Sequence, residues 1–234
     1  MNNMKVEIWS DIACPFCYIG KRKFEQALEQ FADRDEVDVT FKSFQLDPTA
    51  PIHSEQTMNE MLVEKKGMSL KQVEQMQSHV TMQAKEVGLD YHLDKAQMTN
   101  TMNAHRLIHF AKEHGKMNEM KEKLLQSYFI DGEHVGEIES LANIAEQIGL
   151  DKEAVNQMLS SNRYEAEVQH DLQEGVQIGV QGVPFFVINR KYAVSGAQPS
   201  NVFLEVLNKV NEEEKQQEKL NIIKQGDACT DGSC

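Results

Sequence analysis

Strand-forming segments lie only at the two ends of this 234-residue sequence, and the long stretch between them reads as helix. Near the start, Val6, Ile8 and Ser10 alternate with Glu7 and Trp9, and Val37, Val39 and Phe41 alternate with Asp38, Thr40 and Lys42. Alternation of period two marks half-buried strands. Between them, Phe16, Ile19, Phe24, Leu28 and Phe31 supply the apolar positions of a helix that Pro15 can open, since a first-turn proline gives up no helical hydrogen bond. From about Glu55 to Val176 the helical period persists, for example in Val73, Met76 and Val80 and in Leu107, Ile108 and Ala111, with Gly88, Gly115 and Gly149 as stops. Strand character returns in Val183–Ile188 and Tyr192–Val194 around a tight Asn189-Arg190-Lys191 turn, and Pro199 opens a last helix.

The expected plan is therefore β-α-β, a large all-helical insertion between the second and third strands, then β-β-α. Without the insertion this is the thioredoxin arrangement, an α/β fold. Residues 1–50 and 180–225 are expected to form one discontinuous α/β domain, 51–179 an inserted helical domain, and 226–234 a mobile tail that carries Cys229 and Cys234.

Two of the four cysteines stand three residues apart in Cys14-Pro15-Phe16-Cys17, where the first strand meets the first helix. Such a pair could bind a metal, form an inert staple or act as a redox couple. The N-terminus lacks the apolar run of a signal peptide, and no segment approaches the roughly 18 apolar residues of a membrane span. A cytoplasmic location is expected, and reducing thiols there make an inert disulfide the weakest reading. The formal net charge of −13, from 37 acidic against 24 basic residues, repels phosphate backbones and anionic lipid, so neither nucleic acid nor membrane is an expected partner.

A free thiol of ordinary pKa is only about 3% thiolate at neutral pH. Cys14 falls at the helix N-cap, where unpaired N–H groups and the helix dipole favour an anion. Cys17 lies one turn further in. Cys14 is thus the expected attacking thiol and Cys17 the resolving one. Val183-Pro184 follows Gly182 at the start of a strand; the residues leave cis and trans open, and a cis bond would leave backbone groups free to pair with an extended substrate.

The ordered set Ser10-Asp11-Ile12-Ala13-Cys14-Pro15-Phe16-Cys17, Phe44-Gln45-Leu46, Asn100 to Leu107, Gly182-Val183-Pro184-Phe185-Phe186-Val187 and Ser195-Gly196-Ala197-Gln198 resembles the DsbA-like thiol oxidoreductases, most closely the cytoplasmic FrnE-type branch. The resemblance spans nearly the whole chain. It implies a thioredoxin fold with a helical insertion, a cis bond at Pro184, protein or small-thiol disulfide substrates, and no organic cofactor or metal. It also implies a buried acid that relays protons, for which Glu7 is the candidate, and a groove contacted by Phe16, Val183 and His105. Asp11 reads as turn chemistry, and Lys21-Arg22-Lys23 as a solvated helix face. The spacing Cys229-x₄-Cys234 resembles the extra tail pair of FrnE-type proteins, an accessory redox couple. The departure is Phe16, where DsbA has histidine: with no cation there, the very low thiol pKa of DsbA is not expected, and the couple should be a milder oxidant, nearer the glutaredoxins.

Two other classes remain. Glutathione-dependent isomerases like hydroxychromene-carboxylate isomerase share the scaffold but place serine where Cys14 stands. A zinc module would use Cys14, Cys17, Cys229 and Cys234, whose spacings zinc permits. The long last helix could support a homodimer.

Overall fold

The computed structural model describes residues 3–54 and 56–217. Four strands, β1 (Met4–Ser10), β2 (Val37–Ser43), β3 (Phe185–Ile188) and β4 (Tyr192–Ser195), form one mixed sheet in the order β2-β1-β3-β4. β1 runs parallel to β2, with Val6 opposite Val39, and antiparallel to β3, with Ile8 opposite Phe186. The two ends of the chain therefore meet at the centre of the sheet, in the thioredoxin-like arrangement expected. Asn189 and Arg190 both take positive φ, 49° and 56°, as a two-residue hairpin between β3 and β4 requires. The Asn189 side chain accepts from the Lys5 amide at 2.6 Å, which pins that hairpin to β1.

The helix α1 (Pro15–Gln30) and the last helix, α9 (Ser200–Gln217), pack on one face of the sheet. Phe24 of α1 sits between Phe186 and Phe203, with ring centroids 5.5 and 5.6 Å away. Among the described residues between β2 and β3 lie seven α-helices: α2 (Met58–Lys66), α3 (Leu70–Glu86), α4 (Met102–Glu113), α5 (Met117–Gln126), α6 (Ile138–Gln147), α7 (Lys152–Leu159) and α8 (Glu165–Gln177). Local chemistry starts several of them. Thr57 with Glu60 and Ser69 with Gln72 form complete capping boxes at α2 and α3. α5 runs on into a single π turn at Ser127–Asp131. Its buried stripe is Met117, Met120, Lys121, Leu124 and Leu125, and the lysine within it hides the apolar period. One hydrophobic core runs without a break from Val6 and Ile8 of β1 to Leu107, Leu124 and Leu141 of the helices.

The opposite face of the sheet is closed by α8. Trp9 packs with Val180 and Val187 and donates its indole N–H to the Asp171 carbonyl at 2.9 Å. Gly175 permits that approach, because a Cβ there would stand 2.9 Å from the Trp9 nitrogen. The Asp171 carboxylate accepts from the Ser43 amide at 3.0 Å and pairs with His109 at 3.0 Å and Lys42 at 2.9 Å, joining α8, β2 and α4. Burial works against its charge, but His109, the Ser43 amide and Lys42 outweigh that and hold the carboxyl down at about 2. A folded-state value below the unfolded one gives stability that is complete above about pH 4 and lost as pH falls toward 2. Asp171→Asn is expected to lose about 2 kcal/mol at neutral pH, and the gap from the parent should close as the medium is acidified. Urea unfolding at a series of pH values measures both.

Candidate active site

β1 delivers Ser10 and Asp11 to the edge of the sheet at which α1 begins. Cys14 is the N-cap of α1, with extended backbone (φ −96°, ψ 113°) and Pro15 in the first turn. The Cys17 amide donates to the Cys14 carbonyl at 3.0 Å. Both cysteines are buried free thiols. The Cys14 sulfur does not cap the helix; it donates to the Val183 carbonyl at 3.5 Å. The Val183–Pro184 bond is cis. Gly20 lets α1 lie against this bond, since a Cβ there would be 2.8 Å from the Pro184 ring. On the other side the Pro184 carbonyl accepts from the Gly196 amide at 2.8 Å. The sequence landmarks around residues 14, 184 and 196 thus converge on one place.

Beneath the turn lies Asp11, fully buried. One carboxylate oxygen accepts from the Ile12 amide at 2.7 Å and faces His105 Nε2 at 3.2 Å; the other accepts from the Leu46 amide at 2.8 Å. Burial alone would raise this carboxyl, but His105 and the Leu46 amide hold it below the usual range. His105 is itself held below the ordinary imidazole value, because burial outweighs the pull of Asp11. The pair is therefore a carboxylate and a neutral ring whose Nε2–H donates. From the helical segment, the Tyr91 hydroxyl donates to the Pro15 carbonyl at 2.7 Å, and its ring stacks between Tyr18 and Phe129.

The two sulfurs ionise as a pair. A hydrogen bond to Cys17, with burial, pushes Cys14 well above the ordinary thiol range. At Cys17 burial also works upward, but the Cys14 hydrogen bond, the Lys121 ammonium, the Ser10 hydroxyl and the Asp11 amide prevail and bring it down. The first proton thus leaves the pair below the ordinary thiol range and the second well above it, and the two steps belong to the pair. The Cys14 sulfur bonds to the Val183 carbonyl and caps none of the helix N–H groups.

Cys14, Phe16 and Val183 line a groove of about 650 Å³, walled by Leu46 and by Met61 and Met76 of α2 and α3. Phe16 and Val183 are accordingly placed where a substrate would touch them. His105 is not: it is 1% exposed, lies behind Asp11 and does not reach the groove. Glu7 is also displaced from its expected role. It is on the Trp9 side of β1, held by Arg190, whose guanidinium also covers the Trp9 ring at 5.7 Å. Successive strand residues face opposite ways, so Glu7 points away from the face that carries Ser10 and the sulfurs. The Lys21-Arg22 pair is no solvated face either. Lys21 reaches Glu25 and Glu122 at 2.5 Å each and Arg22 reaches Glu25 at 2.7 Å and Glu122, which docks α5 on α1. Cys229 and Cys234 lie outside the described residues.

Among the described residues two clusters have the spacing of metal ligands: His53, His134 and Glu137, and His170, Asp171 and Glu174, the last two of which already pair with Lys42. His134 Nδ1, however, accepts from the Gly136 and Glu137 amides at 3.1 Å each. Its Nε2 then carries the hydrogen and has no lone pair for an ion.

Tyr91 and Lys121 are site residues that the sequence reading passed over. Nothing local marks Tyr91. Lys121 had a signal, since it falls on the apolar stripe of α5, where a lysine demands a reason.

A thioredoxin-type sheet with a vicinal thiol pair at a helix N-terminus, facing a cis-proline loop, defines a class of thiol-bearing thioredoxin-fold proteins. The family model of the DSBA-like thioredoxin domain matches residues 5–208. The chain belongs to that family. It is 40% identical to a probable DsbA oxidoreductase from Streptomyces coelicolor, whose crystal structure superposes with a TM-score of 0.86 over 99% of this chain and 98% of that one. The uncharacterized protein YwbO of Bacillus subtilis (strain 168) is 26% identical over 200 residues, 85% of this chain and 92% of that one. The fold is shared with the cytosolic disulfide reductase DsbM from Pseudomonas aeruginosa, at 14% identity and a TM-score of 0.64 over 89% of this chain and 99% of that one.

Asp11→Asn keeps the shape at the base of the site but turns an acceptor into a donor facing an N–H. It is expected to destabilise the protein by about 1–3 kcal/mol and to loosen the Leu46 segment. Urea unfolding and amide hydrogen exchange at Leu46 read the two effects.

Proposed function

We propose that the chain catalyses thiol-disulfide exchange on protein substrates through Cys14 and Cys17, as a cytoplasmic, FrnE-type member of its family. The observation that carries this reading is an asymmetry: Cys14 lines an apolar groove beside Val183 and Pro184, and Cys17 lies behind it next to a buried cation. An attacking sulfur at the groove wall, backed by a resolving one that does not line it, is what two-step exchange needs.

In the reducing direction the pair's shared proton passes from Cys14 to Cys17, and the Cys14 thiolate so formed attacks a disulfide R–S–S–R′. The Cys14–S–R bond forms, the S–S bond breaks, and R′–S⁻ leaves to take a proton from solvent. Cys17, losing its proton, then attacks Cys14; the Cys14–Cys17 disulfide closes and R–S⁻ departs. Two electrons have passed from the enzyme dithiol to the substrate disulfide. The reverse sequence oxidises a substrate dithiol. No bound organic cofactor or metal enters, and glutathione or protein thiols recharge the couple. The flexible thioethers of Met61 and Met76 suit varied apolar peptide segments. We also assign Cys229 and Cys234 to an accessory couple, and the long α9 to a homodimer contact.

The cytosolic disulfide reductase DsbM, a protein of the same fold, supports an intracellular thiol role. The 2-hydroxychromene-2-carboxylate isomerase shares the fold at 12% identity and a TM-score of 0.68 over 92% of this chain, and stands as the alternative class. A single experiment separates them. In glutathione buffers of graded potential, with thiols trapped by alkylation and read by peptide mass spectrometry, Cys14 and Cys17 are expected to titrate together as a two-electron couple between about −270 and −120 mV. Cys17→Ser is expected to accumulate a mixed disulfide on Cys14, and Cys14→Ser to accumulate none. A pair locked in one state at every potential would defeat the proposal and favour the isomerase.

A further inference from the structure

Among the described residues between β2 and β3, α2 is the α-helix that buries none of its side chains. What holds it is local and polar. Thr57 and Glu60 cap its first turn, Gly67 ends it at φ 63°, and Asn59 accepts from Gln77 of α3 at 2.6 Å. Its sequence nevertheless carries a stripe. Met58, Met61, Leu62, Lys65 and Lys66 follow the i, i+3, i+4, i+7, i+8 spacing that keeps residues on one helix face, and all five line the groove that holds Cys14. The three apolar members are only half-buried. A face packed on a core would bury them; this one borders about 650 Å³ of groove instead.

The two halves of the stripe differ in chemistry, and the charges around it indicate what the second half is for. Lys65 ion-pairs with Asp47, which also accepts from the Thr49 hydroxyl at 2.7 Å. The other carboxylate of the groove, Asp11, is taken by His105 and two backbone amides. On α2 itself Glu60 closes the capping box and Glu64 accepts from Gln56 at 2.6 Å. Lys66 is exposed and has no hydrogen-bond or ion-pair partner among the described residues. In a chain of formal net charge −13, the uncommitted side-chain charge of the groove is thus a positive one.

We propose that the groove face of α2 selects the substrate: it takes an extended protein segment in which the reactive cysteine is accompanied by an aliphatic side chain, seated on Met58, Met61 and Leu62, and by a carboxylate, seated at Lys66. The proposal rests on the redox reading of the cysteine pair and adds a substrate class to it. The spacing within that segment follows from two backbone geometries. Leu62 and Lys66 are one helical turn apart, about 6 Å along the axis. An extended chain advances about 3.3 Å per residue and turns alternate side chains to the same side. An aliphatic residue and an acid two positions apart therefore match the stripe. The methionine thioethers adapt to side chains of different outline, so the apolar position is read for its hydrophobicity and the other for the sign of its charge. Burying an aliphatic side chain here also takes the half-exposed stripe out of water.

The test is made on the full chain, reduced beforehand, with synthetic one-cysteine peptides supplied as mixed disulfides with 2-mercaptoethanol. Each peptide disulfide takes two electrons from the Cys14–Cys17 dithiol and leaves as two thiols, and the second-order rate is recorded. Peptides with leucine and glutamate two positions apart, in either order from the cysteine, are compared with counterparts carrying lysine for the glutamate or serine for the leucine. In the faster order the lysine peptide is expected to react about fourfold more slowly, with the gap narrowing in about 0.5 M sodium chloride, and the serine peptide about tenfold more slowly. Lys66→Glu is expected to reverse the charge preference. Glutamate and lysine peptides that react within about twofold of each other in the parent would overturn the proposal, whether or not the variant folds, as would a preference that Lys66→Glu leaves unaltered. A parent that reduces glutathione disulfide yet discriminates among no peptides assigns the groove to small thiols and removes this inference alone. A parent whose cysteine pair reacts with no disulfide, that of glutathione included, removes the redox reading itself.

Discussion

The site is assembled on one buried carboxylate. Asp11 ends the central strand, and its two oxygens take up the amide of Ile12 in the active-site turn, the amide of Leu46 in the segment after β2, and the ring of His105 from α4. Three stretches far apart in sequence are thereby fixed to one point directly under the cysteine pair. A carboxylate suits this junction because it accepts from several donors at once, and a buried, fully satisfied acceptor leaves each of the donors little freedom to move. The groove wall at Leu46 and the turn that carries Cys14 therefore share one anchor.

Around that anchor charge is sorted by the two faces of the sheet. On the α8 face Lys42 and Arg190 pair with Asp171, Glu174 and Glu7, and hold the helix on Trp9. On the other face stand one anion, Asp11, one cation, Lys121, and the two sulfurs that share a proton. A single strand separates the two sets, yet each is closed by its own partners. The strand alternation that places Glu7 among the structural pairs also removes it from the chemistry.

The helical segment contributes to the site as well as covering the sheet. Tyr91 holds the Pro15 carbonyl, Glu122 gathers Tyr18, Lys21 and Arg22 of α1, and α2 with α3 supplies the methionine wall of the groove. The active-site helix is thus held from the sheet side by the core and from the outer side by residues that arrive between β2 and β3. Thiol chemistry contained in the first 20 residues depends for its environment on residues about 100 positions later.

Local pattern determined a great deal. Period-two alternation marked β1 and β2, strand-forming residues around a tight turn marked β3 and β4, helical period with glycine stops marked the helical segment, and the Cys14-Pro15-Phe16-Cys17 turn with Val183-Pro184 marked the candidate site, because each depends on interactions within a few residues. Tertiary structure decided the rest. Whether a strand residue such as Glu7 faces a core or a partner depends on what covers each side of the sheet. Whether His105 meets substrate or Asp11 depends on how far α4 lies behind the turn. How readily the thiol pair ionises depends in part on Lys121, a cation that enters from another element. Electrostatic interactions in a buried site act through space over several ångströms, and a chain that folds back on itself sets those distances without regard to sequence separation.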